Sequence, residues 1–328
     1  MRTLRGFSAL AIAAALFAAC TSSAPATPVP TTATTPLPST AVTAPPSVAA
    51  SVAPSVAPSV APTATANPCA AAALPTKTVG KLVIGSDNPA YPPYFAPSSP
   101  NPSPWELGDP TNGQGFESAV AYAVAADLGY TKDQVSWVVA PFNNAIAPGA
   151  KDFDIYLQEV SFTPERAQSV DMTDGYYNVA QAVVAIKGSK IAAVTTISGL
   201  AGFQFGAQVG TTSLDTINNV IKPAKEAKVY DTNDAAIKAL KNGQIDGLVT
   251  DLPTSFYITA AQLDNGVIVG QIAPTSAFVE HFSIVLDKGS SIIGCVNAAL
   301  AHIKADGTLA KITQEWLADK ANAPVFQP

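Results

Sequence analysis

From Gly6 to Thr76 the chain carries no Asp, Glu, Lys or Arg. No ordinary globular surface is built without charge over such a length, so this block is excluded from the folded protein, which is expected to begin near Lys77. About 250 residues remain, enough for two modest lobes at roughly 100–200 residues per domain. The block is not uniform. Apart from Leu37 and Asn67, residues 21–68 are made of Thr, Ser, Ala, Val and Pro and include the near repeat SVAASVAPSVAPSVAP at 47–62. So many prolines interrupt any apolar periodicity, and a chain of this kind cannot bury enough surface to offset its ordering entropy. It is expected to be a disordered, extended Pro-rich tether over residues 20–76, holding the folded part away from a surface. A stalk so rich in Thr, Ser and Pro also has the composition of an O-glycan carrier.

Ahead of the tether, Arg2 and Arg5 precede an apolar run, Gly6–Ala19, of the length of a signal-peptide core and too short for a membrane span. Phe17-Ala18-Ala19-Cys20 then resembles the lipobox of bacterial lipoproteins, with Phe17 where a Leu is usual. That resemblance implies a signal peptide over 1–19, cleavage before Cys20, and lipidation of its thiol. The chain would then be exported and held by an N-terminal lipid on the outer face of the cytoplasmic membrane.

Charge and chemistry narrow the function. Lys and Arg number 18 against 24 Asp and Glu, for a net charge of -6, and no basic run offers a phosphate-binding surface, so nucleic acid is not an expected partner. Two His and three Cys leave no expectation of a metal site or a His-based triad, and no cofactor motif is present. With Cys20 lipidated, Cys69 and Cys295 are left in an oxidising setting, where an even pair reads as a disulfide. Such a bridge would fasten the start of the folded part to its end.

Along the folded part, KLVIGSD (81–87) is a buried-strand candidate, followed by a Pro-dense loop at 88–112. Phe116, Val120, Ala123, Val124 and Leu128 recur at helical spacing, with Gly129 placed to end the helix. QVSWVVA, a short helix at FNNAIAPGA, and FDIYLQEV continue the pattern, and after Lys190 the same grammar returns in FQFGAQVG, LDTINNVIK, AKVYD, NDAAIKALKNG and DGLVTD. Alternating strands and helices point to parallel sheets covered by helices.

GSDNPAYPPY from Gly85, GFESAVAYAVAADLG from Gly115, FDIYLQEVSFTPERAQSVDMTDGYY from Phe153, GAQVGTTS from Gly206, IKALKNGQIDGLVTD from Ile237 and the tail from Phe282 follow one another in an order that resembles the family 3 extracellular solute-binding proteins. The family implies an α/β, two-lobed, periplasmic-binding-protein-like fold of type II, with two hinge strands and a ligand in the cleft. Lobe 1 is expected at 79–180 plus 280–328 and lobe 2 at 181–279, with crossings near Asn178–Gln181 and Val279–Phe282. The implied ligand is an amino acid or related small zwitterion, the implied partner an ABC-transporter permease, and the protein a monomer.

The resemblance assigns the ligand's α-carboxylate to Arg166, whose guanidinium can grip it with paired charge-assisted hydrogen bonds. Ser161 on the same turn adds a polar contact. Thr211 and Thr212 begin a helix, where free N–H groups attract an anion. Asp251 is the candidate for the ligand's ammonium, Asp87 for a second polar contact, and Tyr91 and Phe142 for aromatic walls. Gln158 and Glu159 stand where many relatives have small residues. Strand alternation lets only one of them face the cleft; if it is Glu159, its carboxylate either neutralises Arg166 or selects a cationic ligand. Two other functions share the scaffold: an amino-acid sensor acting with a separate signalling protein, and a dehydratase-like enzyme. His281 and His302 are expected to be structural.

Overall fold

The computed structural model describes residues 67–273, 279–318 and 323–328; the signal peptide, Cys20 and nearly all of the tether lie outside them. In the first lobe the chain runs through β1 (Leu82–Ser86), α1 (Phe116–Asp127), β2 (Val135–Val139), α2 (Phe142–Ile146), β3 (Ile155–Tyr156), α3 (Arg166–Ser169), β4 (Asp171–Met172) and β5 (Tyr177–Asn178). It then enters the second lobe through β6 (Gln181–Ile186), β7 (Phe205–Gln208), α4 (Thr212–Thr216), β8 (Lys228–Tyr230), α5 (Asn233–Lys241), β9 (Gly247–Asp251), α6 (Leu252–Tyr257) and β10 (Gly266–Ile272). It returns by β11 (His281–Phe282) and β12 (Val285–Leu286) and finishes the first lobe with α7 (Ile293–Ala305) and α8 (Thr308–Leu317).

Each lobe is built on a five-stranded sheet, ordered β2-β1-β3-β12-β4 and β10-β6-β9-β7-β8. The sheets are mixed, unlike the parallel sheets the alternation suggested. β1 runs parallel to β2 and β3, and β7 parallel to β8 and β9, but β12 lies antiparallel to β3, and β6 antiparallel to β9 and β10. The reason is the crossing itself: a strand that has just arrived from the other lobe enters the sheet against its direction.

Strand alternation separates the cores. Leu82 and Ile84 join α1, α7 and α8 in one cluster, while Val83 turns to Phe142, Phe153 and Tyr156 on the other face. In the second lobe Val183 and Phe205 pack on one face, and Val184 and Leu248 against α5 on the other. α1 buries Phe116, Val120 and Val124 at the expected spacing, and Gly129 follows it at φ 86.

The folded part takes in chain assigned to the tether. Leu74 is buried in the first core, Cys69 and Ala71 pack against it, and Cys69 is bonded to Cys295 on α7 as expected. Closing a 226-residue separation in this way restricts the unfolded chain, an effect typically of about 2–4 kcal/mol.

β5 and β11 pair antiparallel between the lobes, with Val179 N–H donating to Glu280 O at 3.0 Å. The chain's end does not stay with lobe 1, as the 280–328 assignment held. Phe326 is buried in a lobe 2 core, Gln271 N–H donates to Pro324 O at 2.7 Å, and Ile197 N–H to Gln327 O at 2.8 Å. Gly270 makes room for that ring, since a Cβ there would sit 3.0 Å from it. Six terminal residues are too few to show a period, so sequence pattern could not reveal their partner.

Candidate functional site

The parallel strands of both lobes end at a shared cleft, where open α/β sheets place their ligands. Its lining combines groups after β1 and β3 and at the start of α2 in lobe 1 with groups at the ends of β7 and β9 of lobe 2. Asp87, Tyr91, Phe142, Gln158, Glu159, Arg166, Thr211, Thr212 and Asp251 all line it. Ser161 does not. Its buried hydroxyl donates to Glu280, and its carbonyl receives Arg166 Nη1, so it supports the arginine from behind.

Arg166 opens α3, with its N–H held by the Thr163 hydroxyl at 3.1 Å. Its guanidinium lies over the Phe142 ring, 5.4 Å from the centroid, and Nη2 donates across the cleft to Gly210 O at 2.8 Å. Gly210 permits that approach: its φ is 72, and a Cβ would sit 2.9 Å from the Asn143 side chain. Burial pulls the Arg166 pKa down, opposed by the charges of Glu280, Asp215 and Asp251. Asp251, at the end of β9, accepts from Gln181 Nε2 at 2.7 Å. Burial pushes its carboxyl well above the usual range, Glu280 adds to the rise, and Gln181 and Arg166 oppose it. An acid and a buried guanidinium, each penalised for its charge, thus line one gap from opposite lobes.

Asp87 accepts N–H groups from Asn88 at 2.8 Å and Phe142 at 3.1 Å. Tyr91 bridges the cleft, donating to Asp234 at 2.6 Å. Thr211 caps α4 by accepting Leu214 N–H at 3.2 Å. Gln158 and Glu159 both line the cavity, against the expectation that only one could. Strand pairing ends at Tyr156, and Glu159 lies in the left-handed region at φ 53, which breaks the alternation.

Gln208, Ser213, Asn233 and Thr250 also line the cleft without having been singled out from sequence. Gln208 and Thr250 stand at the carboxyl ends of β7 and β9, a signal that could have found them. Glu117 had no such signal, since it sits inside the apolar repeat of α1. It is wholly buried, accepts the Glu159 N–H at 2.8 Å and also takes the Tyr176 hydroxyl. Both histidines make structural contacts: His281 stacks on Phe162, and His302 meets Asp127 at 3.1 Å.

Two hinged α/β lobes with opposite charges facing one interlobe cavity define a substrate-binding protein of the periplasmic type. The chain belongs to the bacterial extracellular solute-binding proteins, family 3, whose model matches residues 97–319. It is 30% identical over 218 residues to the ABC transporter glutamine-binding protein GlnH of Bacillus subtilis (strain 168), covering 64% of this chain and 76% of that one. To the ABC transporter arginine-binding protein 1 of Escherichia coli (strain K12) it is 31% identical over 169 residues, covering 51% and 67%. A solved structure of an ancestral arginine-binding protein bound to glutamine matches with a TM-score of 0.59 and 28% identity, over 73% of this chain and 98% of that one. Both relatives are named for binding an amino acid, and membership of the family supports a substrate-binding role for this chain.

Proposed function

We propose that this protein is the receptor of an amino-acid importer, anchored outside the cytoplasmic membrane through a lipid on Cys20, and that it delivers its ligand to an ABC-transporter permease by closing its lobes. One observation carries the reading: Arg166 of lobe 1 and Asp251 of lobe 2 line a single cavity. An amino acid presents the two complementary charges. Its α-carboxylate meets the Arg166 guanidinium and the N–H groups of the first turn of α4, and its ammonium meets Asp251. Tyr91 and Phe142 exclude water beside the side chain. The charges of a small zwitterion are costly to desolvate unless each has a fixed partner. Both partners are available together only with the lobes closed, so the ligand stabilises closure by its differential affinity for that state. The relatives that bind glutamine or arginine handle the same α-amino-acid head group.

The test is a thermal-shift screen of the amino acids on wild type and Arg166→Ala. Wild type is expected to gain stability with at least one amino acid, and the variant to keep its ligand-free transition but lose at least about tenfold in affinity, or about 1.4 kcal/mol. Unchanged binding by Arg166→Ala would overturn the site.

A further inference from the structure

Four charged side chains line the cleft, the carboxylates of Asp87, Glu159 and Asp251 and the guanidinium of Arg166. On the receptor reading above, on which this inference rests, the ligand's α-carboxylate and ammonium account for Arg166 and Asp251. Two acids remain. Asp87 is already met by the N–H groups of Asn88 and Phe142. Glu159 accepts the Gln158 amide at 3.3 Å, and no ion pair joins it to a cation among the described residues.

The backbone around Glu159 is equally particular. At φ 53 a residue other than glycine is strained. Glu117 holds this conformation by accepting the Glu159 N–H at 2.8 Å on the same oxygen that takes the Tyr176 hydroxyl. The other Glu117 oxygen, Oε2, is buried and has no hydrogen-bond partner among the described residues. A strained acid is therefore pinned at the cleft wall by a second acid that is entirely out of water.

We propose that Glu159, positioned by Glu117, receives a cationic side chain of the bound amino acid, and that this pair of glutamates gives up a proton to solvent when the cation arrives. The balance is simple: a carboxylic O–H bond breaks, the proton goes to water, and the carboxylate left behind pairs with the ligand's ammonium or guanidinium. Burial and mutual repulsion keep the pair from carrying two charges in the empty cleft. Burial is the largest influence raising Glu159 well above the usual carboxyl range, with the charges of Glu117, Asp251 and Asp87 adding to it. Glu117 is pushed up to about 7 by burial, against the hydrogen bonds from Tyr176 and the Glu159 N–H. The hydroxyls of Tyr91, Tyr94, Tyr156 and Tyr176 also feel the Glu159 charge, but each is itself raised and so remains neutral. Arg166, on the same wall, is the one cation lining the cavity among the described residues. Because the cation favours the ionised pair, affinity for it rises as pH rises through the titration of the pair and falls as pH drops.

Calorimetric titration of the folded, ligand-free protein with L-lysine, L-arginine and L-glutamine, in buffers of different ionisation enthalpy near neutral pH, tests this. Lysine or arginine is expected to bind at least about tenfold more tightly than glutamine and to release close to one proton. Glu159→Gln, which keeps the volume, and Glu159→Gly, which adopts the backbone without strain, should both remove the preference and the proton release. A preference for glutamine, cation binding without proton release, or an unaltered profile in either variant overturns the inference and leaves the receptor reading standing. A folded wild-type protein that binds none of these or any other amino acid overturns both.

Discussion

Arg166 and Asp251 show why a site residue is expensive before its ligand arrives. The guanidinium is pulled down and the carboxyl pushed up, in both cases chiefly by burial, so the empty site resists the charges it needs for binding. Glu117 adds a consequence for stability. Its carboxyl is raised to about 7 from an ordinary 4.5, so between those values the folded chain holds more protons than the unfolded one, and stability falls as pH rises. The contribution is fully present below the unfolded pKa and is lost through the folded one. Ligand-free protein is therefore expected to lose up to about 3 kcal/mol from this group between mildly acidic and mildly alkaline solution. Glu117→Gln should flatten that part of the slope while its carbonyl still accepts the Glu159 N–H. Denaturant titrations across pH check it, and an identical slope in the variant would refute the assignment.

At the scale of elements, the C-terminal segment is the feature most at odds with the expected architecture. After α8 the chain returns to lobe 2, where Pro324 and Phe326 pair with Gln271 and the Phe326 ring enters the core. The segment behaves as a strap, and its anchor is one aromatic side chain against Gly270. Phe326→Ala should destabilise lobe 2 by about 3–5 kcal/mol, the usual cost of emptying a buried aromatic position, and raise amide exchange along β10 more than along β1. Equal exchange in both strands would mean the strap contributes nothing locally. The helices met expectation more closely than the strands: the 3.6-residue period of α1 and the Gly after it are local properties. FDIYLQEV was legible as a strand, yet only Ile155 and Tyr156 pair as one, because the chain must turn there to bring Glu159 and Arg166 to the cleft.

For the whole molecule, direct hydrogen bonds cross the cleft between the lobes, among them Tyr91 to Asp234 and Arg166 to Gly210. Removing one should shift the balance between open and closed forms without unfolding either lobe. Tyr91→Phe keeps the ring and deletes the bridge. It is expected to weaken ligand binding about three- to tenfold, the worth of one hydrogen bond to a charged acceptor, and to enlarge the ligand-free radius of gyration in X-ray scattering. An unchanged affinity together with an unchanged radius would show that the bridge has no part in closure.

Local and ordered signals were the sequence's own contribution. They comprise the charge-free block, the helical period of α1, the succession of strand ends, and the ordered motifs around Arg166, Asp251, Tyr91 and Phe142, whose resemblance to a known family implied two lobes and the class of site between them. Only the tertiary structure decided the antiparallel entries into each sheet, the return of Phe326 to lobe 2, the turning of Ser161 away from the cavity, and the burial of Glu117 beneath Glu159. Each of these depends on which distant segment lies alongside, and a charge or ring carries no record in its own neighbourhood of the partner that packing will bring to it.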